Sequence, residues 1–193
     1  MSAFRHVTKP RKDPVSGRRN GVHRVIVSIT MALGMYTLVH SCLGQLTVVH
    51  GISMRPTLKS GQVLVTEKVS LFFAPPHPGQ IVVCHPPIPS PQDFVKRVIA
   101  VGGQSVAARN GTIYINGRPQ AEPFVKYRGD VTFPAYKVPR GEIFVMGDNR
   151  PVSEDSRFFG VIPLSSVVGV VIGRLWPPGV IQLPMPQKRL VTR

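Results

Sequence analysis

The sequence is poor in acidic residues and in cysteine. Nine of its 193 residues are Asp or Glu, against 24 Lys or Arg, so the formal net charge is +15. Two cysteines, Cys42 and Cys84, are too few for a disulfide framework, and we expect both to be reduced. The six histidines show no ligand spacing for a metal. The composition therefore indicates neither a disulfide-rich scaffold nor a metal centre, and it implies no cofactor.

The positive charge is concentrated at the N-terminus. The first 24 residues contain seven Lys or Arg and one Asp, which leaves +9 on the remainder. Further along the chain the basic residues occur singly among apolar alternations, without an Arg-rich helix or a basic stripe interleaved with aromatics. This pattern argues against nucleic acid as a partner and favours anionic lipid headgroups.

An uncharged apolar run follows the basic residues. Residues 25–49 carry no charge unless His40 is protonated, and about 20 residues suffice to span a bilayer. We expect one transmembrane helix at residues 23–42, preceded by a basic cytoplasmic tail at residues 1–22, with the rest of the chain on the outer face. The alternative is a cleavable secretory signal, but the run is longer than the apolar region of such signals and lacks an Ala-x-Ala site.

Short β-rich runs dominate the rest of the chain, where no helical period is found. The runs are residues 46–52, 62–66, 80–84, 94–101, 112–115, 142–146 and 167–173. Asn110-Gly111 and Asn116-Gly117 are hairpin signals, and 20 prolines and 18 glycines mark the loops. The sequence predicts a mostly β domain at residues 43–183, followed by a basic C-terminal tail at residues 184–193.

A serine and a lysine are candidates for catalysis: Ser53 in Gly51-Ile-Ser-Met-Arg-Pro-Thr-Leu58, and Lys96 in a predicted strand. The side chains that share the face of Lys96 in an extended strand are those of Phe94, Val98 and Ala100, and those opposite belong to Val95, Arg97 and Ile99. Lys96 would thus enter an apolar layer while Arg97 leaves it. Burial lowers the pKa of a lysine, and a neutral amine can take the proton of a hydroxyl. Taken alone, Ser53 is better explained as an ordinary loop hydroxyl and Lys96 as a surface lysine.

Further segments carry a family resemblance. After the two candidate residues come Gly111-Thr-Ile-Tyr-Ile-Asn-Gly-Arg-Pro119 and Met146-Gly-Asp-Asn-Arg-Pro-Val-Ser-Glu-Asp-Ser-Arg-Phe-Phe-Gly-Val-Ile-Pro163. With these motifs in this order, the chain resembles type I signal peptidases, which are membrane-anchored Ser/Lys proteases that remove signal peptides. The resemblance extends from the apolar run to about Trp176. The resemblance implies a signal-peptidase-like β-barrel or sheet as the catalytic domain.

The resemblance also implies roles for individual residues. Ser53 matches the nucleophile and Lys96 the general base. Ser153 matches the serine that orients the lysine amine, and Asp155 and Arg157 match a supporting ion pair. The positions that match the walls of the family's shallow apolar pockets for small substrate residues are Met54, Leu58, Phe94 and Val95.

One departure from the family pattern concerns the oxyanion hole. Bacterial members usually carry a serine two residues before the nucleophile as a hydrogen-bond donor, and this chain has Gly51. The backbone N–H of Ser53 then remains as a donor, with a water or a second N–H beside it. A glycine is also seen in mitochondrial inner-membrane relatives.

The expected function is a membrane-bound serine endopeptidase that cleaves N-terminal signal peptides from exported preproteins after small residues, through an acyl-enzyme. The expected partners are signal peptides, a bilayer with anionic headgroups and the secretion translocon. We expect a bacterial cytoplasmic membrane, with thylakoid or mitochondrial membranes as alternatives.

Of two other functions considered for such a chain, one stays open. The chain could be a weak or inactive membrane-tethered β-domain that binds exported peptides, a reading that Gly51 favours. A self-cleaving Ser/Lys peptidase of the SOS-repressor kind would need a DNA-binding domain, for which the first 24 residues are too short.

Overall fold

The computed structural model describes residues 14–42 and 45–178, and the contacts divide the chain into two units, residues 1–41 and 42–193. The first contains helix α1 (Pro14–Cys42), which begins before the predicted residue 23. Between Val22 and Tyr36 its large apolar side chains are exposed, Ile29 and Leu33 to 62% and 60%. Within residues 14–42 and 45–178, no helix combines the length and apolar character that a membrane crossing needs. The tail predicted at 184–193 and most of that at 1–22 lie outside the described residues.

The second unit is mostly β, as predicted. Its strands are β1 (Leu46–Val48), β2 (Val63–Glu67), β3 (Ile81–Cys84), β4 (Phe94–Val101), β5 (Ser105–Arg109), β6 (Thr112–Ile115), β7 (Arg118–Pro119), β8 (Phe133–Lys137), β9 (Glu142–Met146), β10 (Ile162–Pro163) and β11 (Val167–Trp176). Its helices are α2 (Val69–Phe73), α3 (Ser156–Phe159) and the 3-10 turns Arg150–Val152 and Leu164–Ser166. Their shortness explains why no helical period marks them in the sequence.

The strands form two antiparallel sheets. A seven-stranded sheet has the order β1-β2-β11-β3-β4-β9-β10, and a four-stranded sheet has the order β7-β6-β5-β8. The predicted runs match six strands closely, while β1 ends at Val48 rather than at residue 52. β5 and β8, which the sequence reading missed, are the inner and outer partners in the smaller sheet. The loop after β1 is therefore longer than expected, and it carries Ser53.

Both hairpin signals are confirmed. Asn110 and Gly111 have φ of 47° and 75° and join β5 to β6. Asn116 and Gly117 have φ of 51° and 77° and join β6 to β7. Positive φ at both central residues is the requirement of a type I′ turn, which Asn-Gly meets at low cost.

Strand β4 lies in the middle of the larger sheet and is buried on both faces. Val95 packs in one apolar cluster, with Ile81, Val83, Leu64 and Val171, and Val98 packs in another with Val82, Ile143 and Val145. Phe94 lies at the edge of the second cluster. A register shift between Val98 and Ala100 then turns the strand, so that Ala100 packs with Ile99 against the smaller sheet. The predicted grouping of Ala100 with Phe94 and Val98 is wrong for this reason, because a bulge resets the period of two.

Candidate active site

Ser53 lies in the loop between β1 and β2, at a half-buried position. The loop is fastened to the core by Met54 and Leu58, which are 2% and 0% exposed. Asn149 holds its other side, donating its backbone N–H to the carbonyl of Ser53 (2.9 Å) and its side-chain amide to the carbonyl of Ile52 (3.2 Å). The backbone of the candidate nucleophile is therefore fixed from both the core and the segment after β9.

Lys96 is buried in β4, with 4% of its surface exposed, opposite Val82 of β3. Its Nζ donates to Ser153 Oγ at 3.2 Å and lies 5.1 Å from the centre of the Phe94 ring. Burial lowers the pKa of Lys96, and the negative charges of Asp155 and Glu154 oppose this only in part. Among the described residues Lys96 forms no ion pair with a carboxylate. The neutral form of the Lys96 amine is therefore populated at a lower pH than that of a solvated lysine.

Gly147 is the residue at which Ser53 and Ser153 meet. A Cβ at Gly147 would lie 2.5 Å from the carbonyl oxygen of Ser53 and closer still to Oγ of Ser153. Only glycine leaves room for both, so the loop of Ser53 and the hydroxyl that accepts from Lys96 are close neighbours. Within the described residues no hydrogen bond joins Ser53 Oγ to Lys96 Nζ.

Ser153, Asp155 and Arg157 form a connected group. Arg157 Nε donates to Asp155 Oδ1 (2.7 Å) and its Nη2 to Oδ2 (2.9 Å), and Asp155 is fully buried. Nη2 of Arg157 also donates to the carbonyl of Ser153 at 3.0 Å. Asp155 Oδ2 accepts from the backbone N–H of Gly147 at 3.0 Å. The ion pair thus fixes the backbone on either side of the Ser153 hydroxyl.

Arg97 corrects one expectation. It does turn away from the face of Lys96, but it is 0% exposed and ion-paired with Asp148, Nε to Oδ1 at 2.8 Å and Nη2 to Oδ2 at 2.7 Å. Asp148 also accepts from the hydroxyl of Thr57, in the loop of Ser53, at 2.5 Å. The physical reason is that β4 is covered on both faces, so a charged side chain there needs a buried partner.

Sequence reasoning missed the roles of Thr57, Asp148 and Asn149, although the quoted motifs contain all three. The available signal was the dense run of polar residues directly after the apolar strand β9. Their partners are far apart in sequence, as Thr57 and Asp148 show, and only the folded chain brings them together.

The four predicted substrate-pocket residues do not share one surface. Met54, Leu58 and Val95 pack together in one core cluster. Phe94 points to the other face of β4, where it packs beside Phe159 with ring centres 6.1 Å apart. Alternation along an extended strand places Phe94 and Val95 on opposite sides.

Gly51 has open space around the position of a Cβ, but its φ is +82°. An L-residue is strained in that conformation. Among the described residues the backbone N–H groups of Ser53 and Met54 donate to no acceptor, so both are available. Residues 14–42 and 45–178 contain no group of three His, Cys, Asp or Glu side chains placed to hold a metal ion.

Comparison with known proteins identifies the family. Residues 22–176 match the family described as "Signal peptidase, peptidase S26". The chain is 36% identical over 174 residues to "Probable signal peptidase I-1" of Synechocystis, covering 86% of this chain and 89% of the relative. It is 40% identical over 144 residues to "Signal peptidase I" of Bacillus caldolyticus, covering 67% and 78%. A crystal structure of a signal peptidase I from Enterococcus faecalis aligns with a TM-score of 0.45 at 31% identity, over 51% of this chain and 98% of that one.

The mostly β unit, with a buried lysine beside the hydroxyl of Ser153, therefore belongs to a known class of peptidases. The chain is a member of the signal peptidase family, peptidase S26, and the resemblance to type I signal peptidases is confirmed.

Proposed function

We propose that this protein is a serine endopeptidase that cleaves N-terminal signal peptides from exported preproteins after small residues, with Ser53 as nucleophile and Lys96 as general base. Membership in the signal peptidase family and relatives named signal peptidase I support the reaction. The observation that carries the choice of base is the burial of Lys96, with a lowered pKa and a serine hydroxyl as its hydrogen-bond partner.

The chemistry requires the neutral amine of Lys96. As Ser53 Oγ attacks the scissile carbonyl carbon, Lys96 Nζ takes the hydroxyl proton and later passes it to the leaving amine when the C–N bond breaks. The acyl group is then an ester on Ser53. Lys96 next takes a proton from a water that attacks this ester, and the proton returns to Ser53 as the acid product leaves. Ser153 would hold the amine in place through both steps.

The oxyanion would be bound by backbone rather than by a side chain at position 51. The unpaired N–H of Ser53 is the first donor, and the N–H of Met54 is available as a second. Removing one designed donor from an oxyanion hole costs about 2.7 to 4 kcal/mol in other enzymes, so a donor must be supplied where Gly51 lacks one.

The substrate would bind as an added extended strand, with alternate side chains facing the same way. Small residues at positions −1 and −3 would then lie against the surface of the Ser53 loop and β4, beneath which Met54, Leu58 and Val95 form a buried apolar layer. Phe94 lies on the other side of β4, near the amine of Lys96, where it would shield the base from water. These assignments rest on packing, since apolar walls suit small apolar side chains.

A membrane location suits this function. Helix α1 exposes an apolar surface between Val25 and Tyr36, which would lie in a lipid phase. The basic residues up to Arg24, some of them in the first turns of the helix, would contact anionic headgroups. We propose attachment to a bacterial cytoplasmic membrane with the catalytic unit on its outer face. The secretion translocon is then a neighbour.

The test is cleavage of a purified preprotein by full-length variants. Ser53→Ala and Lys96→Ala should each lower kcat/KM by more than about 1,000-fold while the chain stays folded, because each removes a reacting group. Ser60→Ala and Lys59→Ala, at exposed positions of the same loop, are matched controls with wild-type turnover expected. Near-normal turnover of either dyad variant contradicts the proposal. Preprotein binding without hydrolysis by the wild type would support the peptide-binding alternative.

A further inference from the structure

The segment between β7 and β8 contains a buried ion pair that the catalytic proposal does not use. Glu122, which is 4% exposed, accepts from both terminal nitrogens of Arg150, at 3.2 Å and 2.5 Å, and Arg150 is 1% exposed. Burying two charges is expensive, and replacing such a pair by apolar residues is often neutral or stabilising. The pair therefore calls for an explanation other than stability of the fold.

Arg150 stands between two residues that fix the site. On one side Asn149 holds the carbonyl of Ser53, and on the other Ser153 accepts from Lys96. Arg150 Nε donates to the carbonyl of Gly147 at 3.0 Å, and its own carbonyl accepts from Arg157 at 2.8 Å. The guanidinium of Arg150 thus fixes the backbone that connects the residue holding Ser53 to Ser153. It thereby affects the distance between the Ser53 loop and the hydroxyl that contacts Lys96.

The same segment contacts the site at two further points. The ring of Phe124 lies over the guanidinium of Arg97, 3.8 Å from ring centre to Cζ, and Arg97 is the neighbour of Lys96 in β4. The carbonyl of Tyr127 accepts from the backbone N–H of Arg150 at 3.2 Å, and Tyr127 pairs with Asn149 in an isolated β-bridge. One six-residue segment therefore contacts the strand of the base and the backbone that holds the nucleophile.

We propose that residues 122–127, here named the clamp segment, position the Ser53 loop relative to Lys96, with Glu122 and Phe124 as positioning residues. This inference rests on the proposed function of Ser53 and Lys96. Glu122 acts through Arg150 on the Gly147–Ser153 backbone, and Phe124 acts through Arg97 on β4. A shift of about 1 Å between reacting groups can cost on the order of 100-fold in rate, so the clamp segment controls turnover without touching the substrate.

The experiment measures kcat and KM for preprotein cleavage by full-length Glu122→Gln, at a temperature where thermal unfolding shows the variant to be folded. The amide keeps the size of the side chain and removes its charge. We expect kcat to fall about 10- to 100-fold with KM within about twofold, since positioning is lost and substrate contacts are not. Glu122→Asp, which keeps a carboxylate, should recover part of kcat.

The matched control is Ile113→Ala, which opens a cavity and lowers stability in a core cluster that contains neither Lys96 nor a residue of the Ser53 loop or the clamp segment. Its folded fraction should retain the wild-type kcat. If Glu122→Gln keeps kcat within twofold of the wild type, or changes KM alone, the proposal is overturned. It is also overturned if Ile113→Ala loses kcat to the same extent, because the effect would then follow stability.

Phe124→Leu provides a second variant in case Glu122→Gln does not fold. It leaves the Glu122–Arg150 pair intact and removes the ring over Arg97, and kcat should fall about 3- to 10-fold. An unchanged kcat overturns the role of the clamp segment. Ser53→Ala, assayed alongside, separates the two proposals: activity in that variant contradicts the dyad itself, whereas an inactive Ser53→Ala with normal clamp variants overturns the clamp alone.

Discussion

The arrangement of the site depends on the absence of a Cβ at Gly147. The carbonyl of Ser53 and the hydroxyl of Ser153 both occupy the space that a Cβ would take. The sequence made Ser53 and Lys96 candidates because each lies in a motif that resembles one of the family. The need for glycine at 147, and the partner of Arg97, could not be predicted, because both depend on contacts between segments far apart in the chain.

Gly147→Ala should therefore damage both activity and stability. We expect kcat/KM for preprotein cleavage to fall at least about 100-fold and the free energy of unfolding to fall by about 1 to 3 kcal/mol, since the methyl group must displace backbone. Gly173→Ala is the matched control, because no atom lies within 4 Å of its Cβ position. Denaturant unfolding and a cleavage assay measure both effects. A Gly147→Ala enzyme as active as the control would show that the site tolerates a displaced Ser53 loop.

At the scale of elements, short β-rich runs in the sequence predicted the apolar strands of the larger sheet and missed strands such as β5 and β8 of the smaller one. Phe94–Val101 was found as a strand, but its bulge and its two buried faces were not, because a single sequence does not show what covers each face. β3 has the same character, with all four of its residues buried. Cys84 of β3 is a free thiol, as expected, and burial raises its pKa to about 12.

The environment of Cys84 predicts a chemically inert thiol. In a Cys42→Ser background, Cys84 should not react with iodoacetamide at pH 8 in the folded protein, because the thiolate is the reactive form and is not populated there. It should react once urea unfolds the chain. Ser60→Cys, at an exposed loop position, is the positive control. Mass spectrometry after alkylation measures both, and rapid labelling of folded Cys84 would mean that β3 opens readily.

At the scale of the whole molecule, the sequence predicted a mostly β unit preceded by a transmembrane helix. The β unit is present and helix α1 precedes it, but within residues 14–42 and 45–178 no helix has the length and apolar character of a membrane span. The helix starts earlier than expected because the basic residues from Arg18 to Arg24 continue it rather than precede it. Membrane attachment through α1 would bury its exposed apolar side chains in lipid. Burying a side chain such as that of Ile29 or Leu33 in lipid would contribute about 1.5 to 3 kcal/mol each.

Ile29→Asp/Leu33→Asp should release the protein from membranes. In a flotation assay with vesicles containing anionic lipid, we expect the wild type to float with the lipid and the double variant to stay at the bottom, since charges in the apolar phase are costly. Cleavage of a short soluble peptide should be unchanged. Ile29→Leu/Leu33→Ile is the matched control and should float. If the Asp variant floats as well as the wild type, α1 is not the attachment site.

The pH dependence of kcat/KM for preprotein cleavage tests most directly whether a neutral Lys96 activates Ser53. Burial lowers the pKa of Lys96, so the protonated, inactive form should predominate at low pH and the active, neutral form should accumulate as pH rises through that lowered pKa. Cleavage should therefore increase toward alkaline pH, with a midpoint below the ordinary value for lysine. A flat profile from about pH 6 to pH 10 would contradict the assignment of Lys96 as the base.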